Sequence, residues 1–138
     1  VKVSFDAADQ ATSCKMRGQN ESLERKKESI RLVVAKGFRV LLRLTLCKHN
    51  IDQLIECYHV AQELGVEKLQ IKPLVRAGRA AGSHAFLNRR QLREAFRGLA
   101  AVVEGSVAQP QLLCWPPHSR PLHLVNRGGC TLHSRGQM

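Results

Sequence analysis

Aromatic residues are scarce in this sequence: four Phe, one Trp and one Tyr among 138 residues. So small a set leaves little for base stacking, and the basic residues that would accompany it are scattered. Nucleic acid is therefore an unlikely partner by sequence. The five cysteines, at positions 14, 47, 57, 114 and 130, form no CxxC pair. The odd count and the spacing argue against a disulfide framework or a zinc ribbon. A C-x-H step does repeat, at Cys47-Lys48-His49 and Cys57-Tyr58-His59. The first falls at a strand end and the second inside a helical run, where cysteine reads as a small core residue. No apolar run approaches the roughly 18–20 residues of a membrane span, and no charged, then apolar, then small-residue leader is visible. The expectation is a soluble, cytoplasmic protein with no membrane partner.

Acidic residues are also in short supply. Eleven Asp and Glu face 22 Lys and Arg, giving +11. Such a balance favours anions of any kind, from nucleotides to acidic peptides. The 43% hydrophobic content, at this length, suffices for one domain with a real core.

What is present alternates. VKVSFDAADQ opens the chain already inside a strand, Val1 to Asp6, and AADQATSCKMRGQN reads as a polar loop. Asn20 is placed to cap a helix over 21–36 that stops at Gly37, with Glu24 to Glu28 as its solvated face. FRVLLRLTLC, Phe38 to Cys47, is rich in β-compatible residues. A helix over 52–64 follows, with Leu54, Ile55, Tyr58, Ala61 and Leu64 at helical steps and Gly65 just past its end. Val66 to Leu74 is a third strand, and Asn88 caps a helix over 88–104. Gln111 to Trp115 is a fourth strand, cut short by Pro116-Pro117. The tail NRGGCTLHSRGQM reads as polar loop. Repeated βα order predicts α/β architecture with a parallel sheet and right-handed crossovers.

The strands have an unusual polar side. Parallel strands covered on both faces read as nearly continuous apolar runs, whereas these alternate. Lys2, Ser4 and Asp6 share a face opposite Val1, Val3 and Phe5. Phe38, Val40, Leu42, Leu44 and Leu46 oppose Arg39, Leu41, Arg43, Thr45 and Cys47; Leu69 and Ile71 oppose Gln70 and Lys72. Three helices cover the apolar side, so the polar side is wet, filled by a ligand or covered by a partner. A closed eight-stranded barrel fills its lumen with branched apolar side chains. An open partial barrel with a polar lumen fits better, and a one-sided sheet facing solvent is the plain alternative.

VSFDAAD, MRGQNESLERKKESIRLVVAKGFRV, TLCKHN, ELGVEKLQIKPL and AGRA, in this order, resemble the middle and later strands of radical S-adenosylmethionine (SAM) enzymes. The nearest types modify peptides, mature sulfatases or act in cofactor biosynthesis, and the resemblance covers about residues 1 to 82. It implies part of an open (β/α)6 partial TIM barrel: βα units over 1–108, then a last strand and polar tail over 109–138 leading toward an auxiliary-cluster domain. The resemblance also implies SAM and a [4Fe-4S] cluster on a CxxxCxxC loop, a 5′-deoxyadenosyl radical, and a peptide or small-molecule substrate. That loop is absent from this sequence. The resemblance would put it in a missing N-terminal half of the barrel, upstream of Val1, so the fragment alone is expected to be inactive.

Residue by residue, Ser4 and Asp6 match a Ser-x-Asp that meets the SAM ribose region, and Arg17 matches a loop arginine that pairs with the SAM carboxylate. Ordinary readings stand beside these: a strand-end serine, a turn-forming aspartate, a surface arginine. Thr45 and Asn50 fall at the C-terminal end of the second strand, where barrel sites are built, though Asn50 also suits a helix start. Arg76 and Arg79 suit an anionic substrate or plain solvated charge, and Cys130 matches the first auxiliary-cluster cysteine of relatives. The competing reading is a non-catalytic basic α/β module that binds a nucleotide or nucleic acid.

Overall fold

The computed structural model describes residues 1–18, 22–105, 110–114 and 122–124. In chain order these form β1 (Lys2–Ser4), α1 (Gln10–Arg17), α2 (Leu23–Ala35), β2 (Leu41–Leu46), α3 (Leu54–Glu63), β3 (Lys68–Pro73), α4 (Arg89–Glu104), β4 (Gln111–Cys114) and β5 (Leu122–Leu124). Short 3-10 turns stand at Ile51–Gln53 and Gly78–Ala80. Spatial order in the sheet follows chain order, and β1 through β4 are parallel. The chain is therefore an α/β protein with a four-stranded parallel sheet, as the βα repeat predicts.

The alternation decides which face is covered. Phe5, Val40, Leu42, Leu44, Leu46, Leu69, Ile71 and Leu112 are buried and form one cluster with the helices. Leu23 and Ile30 of α2, Cys57, Tyr58 and Ala61 of α3, and Leu92, Leu99 and Val103 of α4 supply its other side. Fully burying side chains of this size is worth roughly 1.5–3 kcal/mol each, so this cluster is the main stabilising element. Ile55, predicted to join it, stays 38% exposed.

Helix ends are set by local chemistry. Asn88 caps α4 as predicted, and its side chain and that of Gln91 close a reciprocal capping box. Gly37 and Gly65 adopt φ of +81° and +66°. After α2, Gly37 N–H donates to the Val34 carbonyl (2.9 Å) and Phe38 N–H to that of Val33 (3.2 Å). After α3, Gly65 and Val66 donate in the same pattern to Gln62 and Ala61. Both helices thus end in Schellman motifs.

That motif corrects the start of β2. Phe38 closes the helix rather than opening the strand and remains 59% exposed, and pairing with β1 begins at Leu41. The segment read as a polar loop contains α1, whose N-cap Asp9 accepts from Thr12 N–H at 2.8 Å. The cap of α2 is Ser22; Asn20 lies outside the described residues. Lys26, assigned to a solvated face, is half-buried, and burial together with the charge of Arg17 pulls its pKa below the usual lysine value. The end of the sheet departs from a continued βα repeat, because β5 pairs antiparallel to β4. Residues 115–121 alone separate the two strands, and a parallel return requires a dozen or more. Among the described residues, no helix is long and apolar enough to cross a membrane.

Candidate functional site

Three rows of side chains cross the polar face of the sheet. Lys2, Leu41, Lys68 and Gln111 pair in register, and so do Ser4, Arg43, Gln70 and Leu113 one pleat further along. The next row begins with Thr45 and Lys72. Asp6 joins it beyond β1, because its Oδ1 accepts from Thr45 N–H at 2.7 Å.

Asp6 is the centre of the C-terminal rim. Its Oδ2 accepts from Arg17 Nε at 2.8 Å and also from Arg17 Nη2. The side chain of Asp6 is only 6% exposed, that of Arg17 34%. Burying a carboxylate is costly unless it is paired and hydrogen-bonded, and here both oxygens are engaged. The eight-residue α1 makes this possible by returning the chain so that Arg17 reaches back over β1.

Asn50 ties the same strand ends together. It is fully buried; its Nδ2 donates to the Asp6 carbonyl (2.7 Å) and the Thr45 carbonyl (3.0 Å), and its Oδ1 accepts from Cys47 N–H (2.8 Å). It makes no side-chain cap to the 3-10 turn that follows. Its polar atoms are thus spent within the protein, and what it does for the site is hold β1 and β2 in register. Gln53, which the sequence did not single out, acts alike. Its Oε1 accepts from Ala8 N–H at 3.0 Å, and its Nε2 donates to Thr12 Oγ1 at 2.8 Å and to Asp9.

Four of the five candidates, Asp6, Arg17, Thr45 and Asn50, therefore meet in one hydrogen-bonded network. The fifth, Ser4, lies one row lower, where its Oγ accepts a long 3.5 Å contact from Arg43 Nη2. Arg76 is exposed with its guanidinium 4.8 Å over the Phe86 ring. The side chain of Arg79 and all of Cys130 lie outside the described residues.

Gln70, also not singled out as a site, is the odd residue of the polar face. It is 8% exposed, yet its Oε1 has no hydrogen-bond partner among the described residues. Leaving a buried acceptor unpaired costs about 1–3 kcal/mol. Its burial could not be read from one sequence; its place opposite Arg43 follows from the register.

Burial pushes the Cys57 thiol pKa up to about 12 and raises that of Cys47 as well. Among the described residues no three His, Cys, Asp or Glu side chains are grouped to hold a metal ion. A cleft of about 390 Å³ lies elsewhere, between the Ile51–Gln53 turn, α3 and α4, and none of the rim residues lines it. No protein-family model matches the chain.

Proposed function

We propose that this chain is part of a radical SAM oxidoreductase acting on a peptide or a cofactor precursor, with SAM lying across the C-terminal rim of the polar sheet face. The observation that carries the reading is the convergence at that rim. Residues far apart in sequence, chosen for their resemblance to SAM-contacting positions, lie at the C-terminal ends of adjacent parallel strands, where α/β sites are built. The partial (β/α)6 barrel belongs to this reading.

The donor set fits SAM with a division of labour. The hydroxyls of Ser4 and Thr45 suit ribose hydroxyls, and the Arg17 guanidinium suits a carboxylate. Asp6 and Asn50 act by position: the carboxylate fixes Arg17, and the carboxamide fixes the strand ends. The [4Fe-4S] cluster does not fit these residues: the sequence has no CxxxCxxC, and among the described residues no thiols are grouped. On this reading its ligands come from polypeptide outside the 138 residues. SAM would be the source of the radical when bound; on this reading the residues of this chain bind and orient SAM.

The test is calorimetric titration of SAM against the native chain, Ser4→Ala, Arg17→Ala and the control Arg31→Ala. Arg31 pairs with Glu63 on the outer helical surface at 2.8 Å and is remote in role. Lys26 is unsuitable as a control, because it is electrostatically coupled to Arg17. Losing a hydrogen bond to a charged group costs about 1.5–3 kcal/mol, so Arg17→Ala should weaken SAM roughly ten- to a hundredfold. Equal affinity in Arg17→Ala and Arg31→Ala would overturn the assignment.

A second reading is favoured by one specific feature: Lys2, Arg43, Lys68 and Lys72 share the polar face. A basic α/β module holding a nucleotide or nucleic acid would use that charge. Its mark is oligonucleotide affinity that falls steeply with salt while SAM has no effect.

A further inference from the structure

We propose that the middle of the polar sheet face is a subsite for an oxyanion that carries its own proton, of the phosphate or phosphate-monoester class. The site lies one pleat below the rim and stands whether or not the chain belongs to a radical SAM enzyme.

The argument starts from Gln70. Its carboxamide oxygen is buried and without a partner among the described residues, and it can only accept. The pleat directs this side chain to the polar face, beside Arg43 on one strand and, one pleat along its own strand, Lys72. Ser4 flanks Arg43 on the other side, with its hydroxyl contacted by Arg43 Nη2 at 3.5 Å. Adjacent strands are about 4.8 Å apart and residues i and i+2 about 6.6 Å, so these four positions are neighbours on one face, close enough for their side chains to reach a common anion. Asp6, a carboxylate on the same face, is held by Arg17 and the Thr45 amide.

Two cations and a hydroxyl call for a ligand rich in acceptor oxygens. The buried Gln70 oxygen adds a demand that a bare anion cannot meet, because it requires a donor. Sulfate and phosphodiesters offer acceptors only. A hydrogen phosphate or a protonated monoester offers acceptors to Arg43, Lys72 and Ser4 and one O–H to Gln70. Sites with a buried polar group waiting for a hydroxyl discriminate strongly against analogues that lack it, because the protein group is left unpaired.

The experiment titrates the full chain with inorganic phosphate, sulfate, dimethyl phosphate and methyl phosphate at matched ionic strength, following the Gln70 side-chain amide by NMR. Phosphate should bind at least about tenfold more tightly than sulfate or dimethyl phosphate. Gln70→Met should erase that gap, and Arg43→Met should weaken phosphate and sulfate alike. Equal binding of phosphate and sulfate to the native chain overturns the proposal, and this comparison decides it even where a variant fails to fold. Survival of the gap in Gln70→Met also overturns it. Methyl phosphate identifies the source of the anion. A monoester keeps a proton only below about pH 6, so methyl phosphate that binds at pH 5 as well as inorganic phosphate, and weakens above pH 6, supports a phosphorylated substrate. Binding of inorganic phosphate alone at both pH values supports the free anion.

Discussion

Replacing Asn50 with alanine tests whether the rim is a built structure or a set of residues that merely lie close. The side chain is fully buried and makes three hydrogen bonds, to the Asp6 and Thr45 carbonyls and from the Cys47 amide. A typical net contribution is about 1 kcal/mol per bond, and buried groups left without a partner cost about 1–3 kcal/mol each. Some of that cost is relieved if water enters the vacated space, so the expected loss is about 3–5 kcal/mol. Against a typical total of about 5–15 kcal/mol, this is a large fraction. With a urea m-value of about 2 kcal/mol/M, the unfolding midpoint should fall by roughly 1.5–2.5 M.

Asn50→Asp refines the test. It keeps an acceptor for the Cys47 amide but loses both donors and brings a charge into a buried site, so it should not rescue the loss. Urea unfolding followed by circular dichroism measures both variants. A loss below about 1 kcal/mol for Asn50→Ala would refute the reasoning, since the two strand ends would then be held without the carboxamide.

Other expectations follow from local structure. Gly65→Ala, at φ +66°, should cost about 1–2 kcal/mol from the left-handed backbone, whereas Gly82→Ala, in open space, should be near neutral in the same urea assay. Cys57, with its thiol at about 12, should resist iodoacetamide at pH 8 in the native chain while the half-exposed Cys14 reacts; equal labelling by mass spectrometry would show that α3 opens readily. Asp9 lies below its usual value of 3.8, chiefly through the Thr12 amide, so the cap stabilises α1 fully above that pH and loses its effect as pH falls through the lower folded-state value. The protection of the Thr12 amide, measured relative to its intrinsic exchange rate at each pH, should therefore fall in acid. In Asp9→Asn, which caps without titrating, that loss of protection should disappear.

The parallel sheet was legible because each βα unit carries its own signals. Asn88 stands before an amphipathic run and Gly65 after one, and the alternation from Leu41 to Leu46 separates buried from half-buried residues in strict sequence. The errors arose where two local codes overlap. Phe38 belongs by composition to a strand, but Gly37 extends the helix-closing motif one residue past itself and claims the Phe38 amide. The segment from Gln10 to Arg17 carries almost no apolar face, with Ser13 its one buried residue, so hydrophobic periodicity could not reveal α1. The Asp9 cap was the available signal.

The same limit governs the site. Polar candidates were visible as residue types at strand ends, but their bonding was not. Asp6 and Arg17, read separately as ligand contacts, neutralise each other across α1, and Asn50, read as a contact or a cap, bridges two strand ends instead. Asp6 and Asn50 thus spend their hydrogen bonds within the rim and act by position, as their part in the proposed SAM site requires. One row lower the balance is reversed. Among the described residues Arg43 makes only a long contact to Ser4, and the Gln70 oxygen has no partner. A row whose side chains hold the strand ends, beside a row with an unpaired buried acceptor, gives the proposed anion subsite the fixed support that a binding site needs.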